Sequence, residues 1–253
     1  MKRKIALGAL LLLTFIISAV VHLPIQVVLA YVPLPVQLKI SQASGTLWQG
    51  QAQQVNWQRY NLGQVSWQLV PSALLSGNAE AKVRFGRGSQ WQLQGRGVIG
   101  YGLKGAYAEN LLAAMPVTEA LKLAPALPIP LTLEGQLELN VKQLNYAAPY
   151  CAQGTGSLVW NTDVVGTPLA DVQLGPVIAE LSCQDNQISV KGTQQSAQVR
   201  SEFSAELMSD QRFSAKAWFI PQAAMPSALA DQLQWLPKPD AQGRYQFSRQ
   251  GRL

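Results

Sequence analysis

The sequence predicts a mainly β protein: one N-terminal transmembrane helix followed by a long antiparallel β-sheet structure of two related halves, with two short helices. Three observations carry this. An uncharged run, Ile5 to Leu23, follows a short basic start. Apolar residues then recur at every second position over most of the chain. Short motifs of the first half return in order in the second, about 110 positions later.

The N-terminal run holds 19 residues, roughly 28 Å as a helix, which matches the hydrocarbon thickness of a bilayer. Lys2, Arg3 and Lys4 precede it, and no comparable cluster follows before Arg59. The positive-inside bias therefore places residues 1–4 in the cytoplasm as a topology signal and exports the rest. A cleaved signal peptide is the alternative, with Val28-Leu29-Ala30 as its cleavage site. A soluble buried helix fits less well, because apolar residues lie on every face.

Pro24, Pro33 and Pro35 break the next stretch, read as a stalk over 24–35 leading to a first strand at Val36 to Ile40. Alternation begins beyond Gly45. Val55 and Trp57 share a phase, as do Val65, Trp67 and Leu69, then Ala79, Ala81, Val83 and Phe85, then Trp91 and Leu93. The pattern is longest in Leu131, Leu133, Leu137, Leu139 and Val141. It returns in Ala179, Leu181 and Cys183, in Phe203, Ala205 and Leu207, and in Phe213, Ala215, Ala217 and Phe219. An antiparallel sheet with one covered face accounts for it.

Leu111 to Leu123 and Ala223 to Leu236 depart from period two and have helix-like spacing around a proline. They share Ala113-Ala114-Met115-Pro116 and Ala223-Ala224-Met225-Pro226. Gly45-Thr46-Leu47 is matched by Gly156-Ser157-Leu158, Leu62-Gly63 by Leu174-Gly175, and Gly135 by Gly243. The expected division is a cytoplasmic tail 1–4, an anchor 5–23, the stalk 24–35, a first periplasmic repeat 36–130 and a second 131–253.

Composition excludes several functions. Hydrophobic residues make up 48% of the 253, so a folded chain is expected. The net charge of +6 includes the three N-terminal basic residues, leaving 17 basic against 14 acidic residues beyond them with no basic block, which argues against nucleic-acid binding. Charged residues are only 13%, and glutamine fills polar strand positions. The two cysteines, Cys151 and Cys183, are candidates for a disulfide outside the cytoplasm, with two separate buried thiols as the alternative.

The search for chemistry finds no catalytic, metal or cofactor residues. Gly95-Arg96-Gly97-Val98-Ile99-Gly100 spells a dinucleotide fingerprint but lies between strands, where glycines mark turns or bends. The only histidine, His22, is at the outer end of the apolar run. Glu134 with Glu138 and Glu202 with Glu206 fall on polar strand faces. Of Trp48, Trp57, Trp67, Trp91, Trp160, Trp218 and Trp235, those in phase with apolar neighbours (Trp57, Trp67, Trp91) are assigned to the core, with a lipid-facing groove as the other option.

Taken in order, the motifs resemble the type II secretion system protein N family. The likeness runs through the basic start and apolar span, Gly45-Thr46-Leu47-Trp48-Gln49-Gly50, Leu62-Gly63, Trp67, Pro71 and Leu74-Leu75-Ser76-Gly77. It continues through Gly154-Thr155-Gly156-Ser157-Leu158-Val159-Trp160, Leu174-Gly175, Cys183 and Gly243-Arg244-Tyr245. The resemblance implies an inner-membrane accessory component of a machine that exports folded proteins across the outer membrane, in contact with other secretion proteins and without catalytic residues. A looser similarity to AsmA-like periplasmic β proteins implies the alternative of a groove carrying lipid between membranes.

Overall fold

The computed structural model describes residues 2–31, 36–122, 131–162 and 164–252; side chains are described from Leu7 onward, except that of residue 9. Helix α1 (Lys2–Val21) is followed by α2 (Ile25–Tyr31). Strands β1 (Leu38–Gly45), β2 (Gln49–Trp57), β3 (Tyr60–Asn61), β4 (Gln64–Leu69), β5 (Ala79–Arg87), β6 (Gln94–Gly102) and β7 (Gly105–Pro116) come next, with α3 (Pro71–Leu74) before β5 and α4 (Val117–Leu121) after β7. The rest comprises β8 (Thr132–Leu133), β9 (Gln136–Asn145), β10 (Gln153–Asn161), β11 (Val164–Gly166), β12 (Asp171–Gln173), β13 (Val177–Gln184), β14 (Gln187–Gln195), β15 (Val199–Leu207) and β16 (Arg212–Pro221). It ends in α5 (Ser227–Ala230), a 3₁₀ turn over Asp231–Trp235 and β17 (Tyr245–Arg252).

Fourteen strands form one antiparallel sheet in the order β1-β2-β4-β5-β6-β7-β9-β10-β13-β14-β15-β16-β17, with β3 paired to β2 outside this path. β8, β11 and β12 make a separate three-stranded sheet. The main sheet is a meander in which each strand lies beside its nearest large neighbour in sequence. Where turns are tight the residues suit them: Asp185 and Asn186, both at positive φ, close the two-residue hairpin between β13 and β14.

Period two puts the apolar residues on one face, in rows that cross the strands. Leu139 faces Leu158, which faces Ala179, then Gly192, Phe203, Ala217 and Phe247. The face is only half covered. Extensive strand contacts are all lateral, and the fully apolar buried positions are few, among them Ala52, Val55, Val83, Ala179 and Val199. The accessible surface is 17160 Å², against about 11,000 Å² for a compact protein of this mass. The expected covered face is therefore corrected: the sheet is broad, and among the described residues little is laid over it. Trp57 is 44% exposed and Trp91 sits in the turn after β5 against Tyr60, so neither belongs to a closed core.

Five glycines inside strands have a common cause. At Gly50, Gly95, Gly100, Gly192 and Gly251 an added Cβ would run into the aromatic ring directly opposite, respectively Trp67, Phe85, Tyr107, Phe203 and Phe213. Each ring lies across the neighbouring strand where no side chain competes. The glycine fingerprint at 95–100 is thus part of β6 and holds two of these ring seats. Gly192→Val is expected to cost about 1–3 kcal/mol by overpacking, read as a lower urea midpoint at unchanged slope. Adding Phe203→Leu should recover part of that loss.

Several boundaries differ from expectation. Residues 25–31 are helical because Pro24 ends α1 yet leaves a proline-free stretch up to Pro33, which lies outside the described residues. The first strand begins at Leu38, with Val36 exposed. Residues 111–116 finish β7 and only Val117–Leu121 are helical; within 223–236 helix starts at Ser227. Tertiary pairing of Leu111, Ala113 and Met115 with β9 overrides their helical spacing. Trp91 and Leu93 precede β6 and belong to no strand. The helices α2 and α3 were not expected. Among the described residues no helix is long and apolar enough to cross a membrane. The expected span at 5–23 includes residues 5, 6 and 9, whose side chains lie outside the description.

Candidate functional site

Three features stand out from the sheet. The first is the junction between α1 and the first edge. The Trp48 indole N–H donates to the Val20 carbonyl at 2.8 Å, and the Leu47 amide to the Leu23 carbonyl at 2.9 Å. Pro24 bridges Thr46, and the Gln26 side-chain amide donates to the Ala43 carbonyl. Gly45-Thr46-Leu47-Trp48 is therefore a clamp that satisfies carbonyls at the end of α1 and just beyond it. The indole needs that helix end to be present, so nothing in the local pattern announces it.

The second feature is a groove of about 870 Å³ on the polar face. Its floor is a cross-strand row, Gln51, Ser66, Arg84, Arg96, Leu112, Asn140 and Ser157, in direct register from β2 to β10. Arg84 and Arg96 face each other across β5 and β6 and join no ion pair among the described residues. Like charges placed so oppose pairing. Period two marks one face as polar, but only the register lines up these residues.

The third feature is the disulfide joining Cys151 to Cys183, with Cα atoms 6.3 Å apart across 32 positions. Cys151 is fully buried. The Asn186 side-chain oxygen accepts from the Tyr150 and Cys151 amides, and the Asp185 and Asn186 amides donate to the Ala152 and Cys151 carbonyls. The hairpin at 185–186 is stitched to the chain entering β10.

The carboxylates singled out from sequence do not converge on one another. Glu138 accepts from the Asn161 amide, Glu206 lies near Gln187, and Glu134 and Glu202 are exposed. No group of three or more metal-ligating side chains occurs among the described residues. His22 bonds to the Ser18 carbonyl within its helix turn.

Asp240 organises the entry to β17. Its carboxylate accepts from the Arg244 and Gln242 amides and from the Arg244 and Gln246 side chains. The Arg244 backbone bond is the largest of the effects that pull its pKa to about 2, well under 3.8. A lowered folded pKa means these contacts are intact above the ordinary carboxylate range and are lost as pH falls through about 4 to 2. Amides of 242–246 should therefore gain exchange or shift in acid, and Asp240→Asn should abolish that acid transition.

Residues 36–248 match the family described as type II secretion system (T2SS), protein N. The chain belongs to the type II secretion system protein N family. Similar relatives carry the same description. One from Vibrio cholerae serotype O1 is 49% identical over 253 residues, covering 100% of both chains. Another from Aeromonas hydrophila is 32% identical over 255 residues, again over the whole of both. A third from Klebsiella pneumoniae is 27% identical over 99% of this chain and 97% of its own. No solved structure matches. The family match begins after α2 and takes in the Gly45–Trp48 side of the clamp, the groove and the disulfide.

Proposed function

We propose that the chain is an inner-membrane accessory component of the type II secretion system, with α1 as a single-pass anchor, residues 1–4 in the cytoplasm and the sheet in the periplasm. The family match over 36–248 carries the reading. Apolar side chains on all sides of α1 support the anchor, Leu10 and Phe15 being 60% and 71% exposed. The disulfide supports export from the cytoplasm. In this role the clamp at Trp48 holds the first edge of the sheet against the anchor, and the sheet extends from there through its remaining strands. Its work is to offer pairing surface to other secretion proteins, and it has no catalytic role.

The test is in cells. Crosslinking of the tagged full chain should recover other secretion components, and a carboxyl-terminal reporter should be active only in the periplasm. Recovery of no secretion component, or a reporter active only in the cytoplasm, counts against the reading.

One observation favours a second role. The half-covered apolar face, with Leu139, Leu158, Phe203 and Phe247 in one cross-strand row, suits an acyl chain. Native mass spectrometry should then find lipid on the purified chain, and alanine at Phe203 should reduce it.

We further propose that the sheet arose by duplication, as repeats 36–130 and 131–253. The connections β7–α4–β9 and β16–α5–β17 support this, each a proline-capped short helix between two paired strands. Pro116 and Pro226 share a backbone conformation, with φ and ψ of −60° and 139° against −55° and 133°. Gly63 and Gly175, and Gly135 and Gly243, are all left-handed.

A further inference from the structure

The two edges of the main sheet differ. β1 is guarded: Gln42 sits at positive φ and forms no pair with β2, and Gln26, Pro24 and Leu23 engage Ala43, Thr46 and Leu47 around its end. Covering segments and a kinked, interrupted backbone keep an edge from recruiting other strands. β17 has neither device. It pairs with β16 without a register break from Tyr245 to Arg252, contains no proline, and is exposed along nearly its whole length. Among the described residues no backbone group beyond β16 bonds to it.

Charge selects what that edge accepts. Arg249 and Arg252 form no ion pair among the described residues, and no acidic residue lies within β17. They stand on opposite faces: Arg249 lies opposite Ala215 in the apolar rows, and Arg252 opposite Arg212. An antiparallel pair of β17 edges from two copies would put two arginines on each face of the ladder with no acidic partner in either strand, which opposes self-association. A complementary strand with acidic residues meets attraction on both faces.

Position adds to this. Eleven strands lie between the clamped edge and the open one, so twelve steps of about 4.8 Å put them about 58 Å apart along the ladder. The open edge is the part of the sheet farthest in pairing order from α1.

We propose that β17 is a docking edge that takes an acidic, extended segment of another protein as an added strand. The inference rests on the reading of the chain as a secretion component and names the surface that would serve it. Main-chain bonds supply affinity in such pairing, and side chains at alternate positions supply selection.

The test uses the full chain in detergent with two synthetic ten-residue peptides of valine and threonine, one carrying glutamates three positions apart so that both faces of the strand are acidic, the other with lysine in place of glutamate. The glutamate peptide should bind at least tenfold more tightly, lose that advantage in 0.5 M salt, and slow amide exchange in 246–252 while leaving 38–45 unchanged. R249E/R252E should reverse the preference, with an unchanged circular dichroism spectrum reporting the fold. Equal binding of both peptides, protection confined to β1 or to the Arg84–Arg96 groove, or a dimer through β17 that survives R249E/R252E would each overturn the assignment. If the peptides fail while cellular crosslinks to secretion components persist, the docking edge falls and the secretion reading stands. If the crosslinks fail as well, both fall.

Discussion

Replacing Cys151 and Cys183 together with alanine is expected to lower stability by about 3 to 4 kcal/mol, the loop-closure value for a bridge across some 32 residues. The bridge ties β13, in the middle of the sheet, to the chain that enters β10. A sheet with little laid over it depends on its lateral ladders, and losing a cross-link at the centre allows opening from there. Each single substitution should cost nearly as much as the pair, since either one abolishes the same bond. Cys151 is fully buried, so reduction should be slow in the native state and fast in urea. The measurement is the urea midpoint of oxidised, reduced and doubly substituted chains. Equal midpoints for oxidised and reduced protein would defeat the prediction.

Much of the sheet was legible because period two is a local signal. Leu137, Leu139 and Val141 announce β9, and Phe213, Ala215, Ala217 and Phe219 announce β16, whatever their partners. Leu111 to Pro116 was not legible, since its apolar spacing fits a helix and only pairing with β9 decides otherwise. That the described residues cover the apolar face only in part was also hidden. Alternation reports that one face is apolar and carries no information about what lies on it.

The site features divide in the same way. Cys151 and Cys183 were candidates from their number and compartment alone. Arg84 and Arg96 could be matched only once β5 and β6 were in register. Trp48 was visible as part of a motif, but its bond to Val20 spans 28 positions and joins a helix to a strand turn. The open edge at β17 is a property of the whole strand order and has no signature in residues 245–252 themselves.

Leu12→Arg should remove the chain from the membrane if α1 is the anchor proposed. Leu12 lies near the middle of the 20 residues of α1 and is 61% exposed. An arginine at the centre of a membrane helix costs about 2.5–3.5 kcal/mol on insertion scales, roughly a hundredfold in the partition between membrane and water. Leu7→Arg is the control, because an arginine one turn from Lys4 can reach the interface and costs less. Carbonate-washed membranes should retain the Leu7 variant and lose the Leu12 variant, and a carboxyl-terminal periplasmic reporter should fall in parallel. Retention of Leu12→Arg with full reporter activity would remove α1 as the anchor. The clamp makes the consequence wider than topology. Trp48 and Leu47 bond to carbonyls at the end of α1 and just beyond it, so a helix that fails to insert also loses its fixed relation to β1. That edge then becomes available to pair with other strands, and the Leu12 variant should aggregate where the Leu7 variant does not.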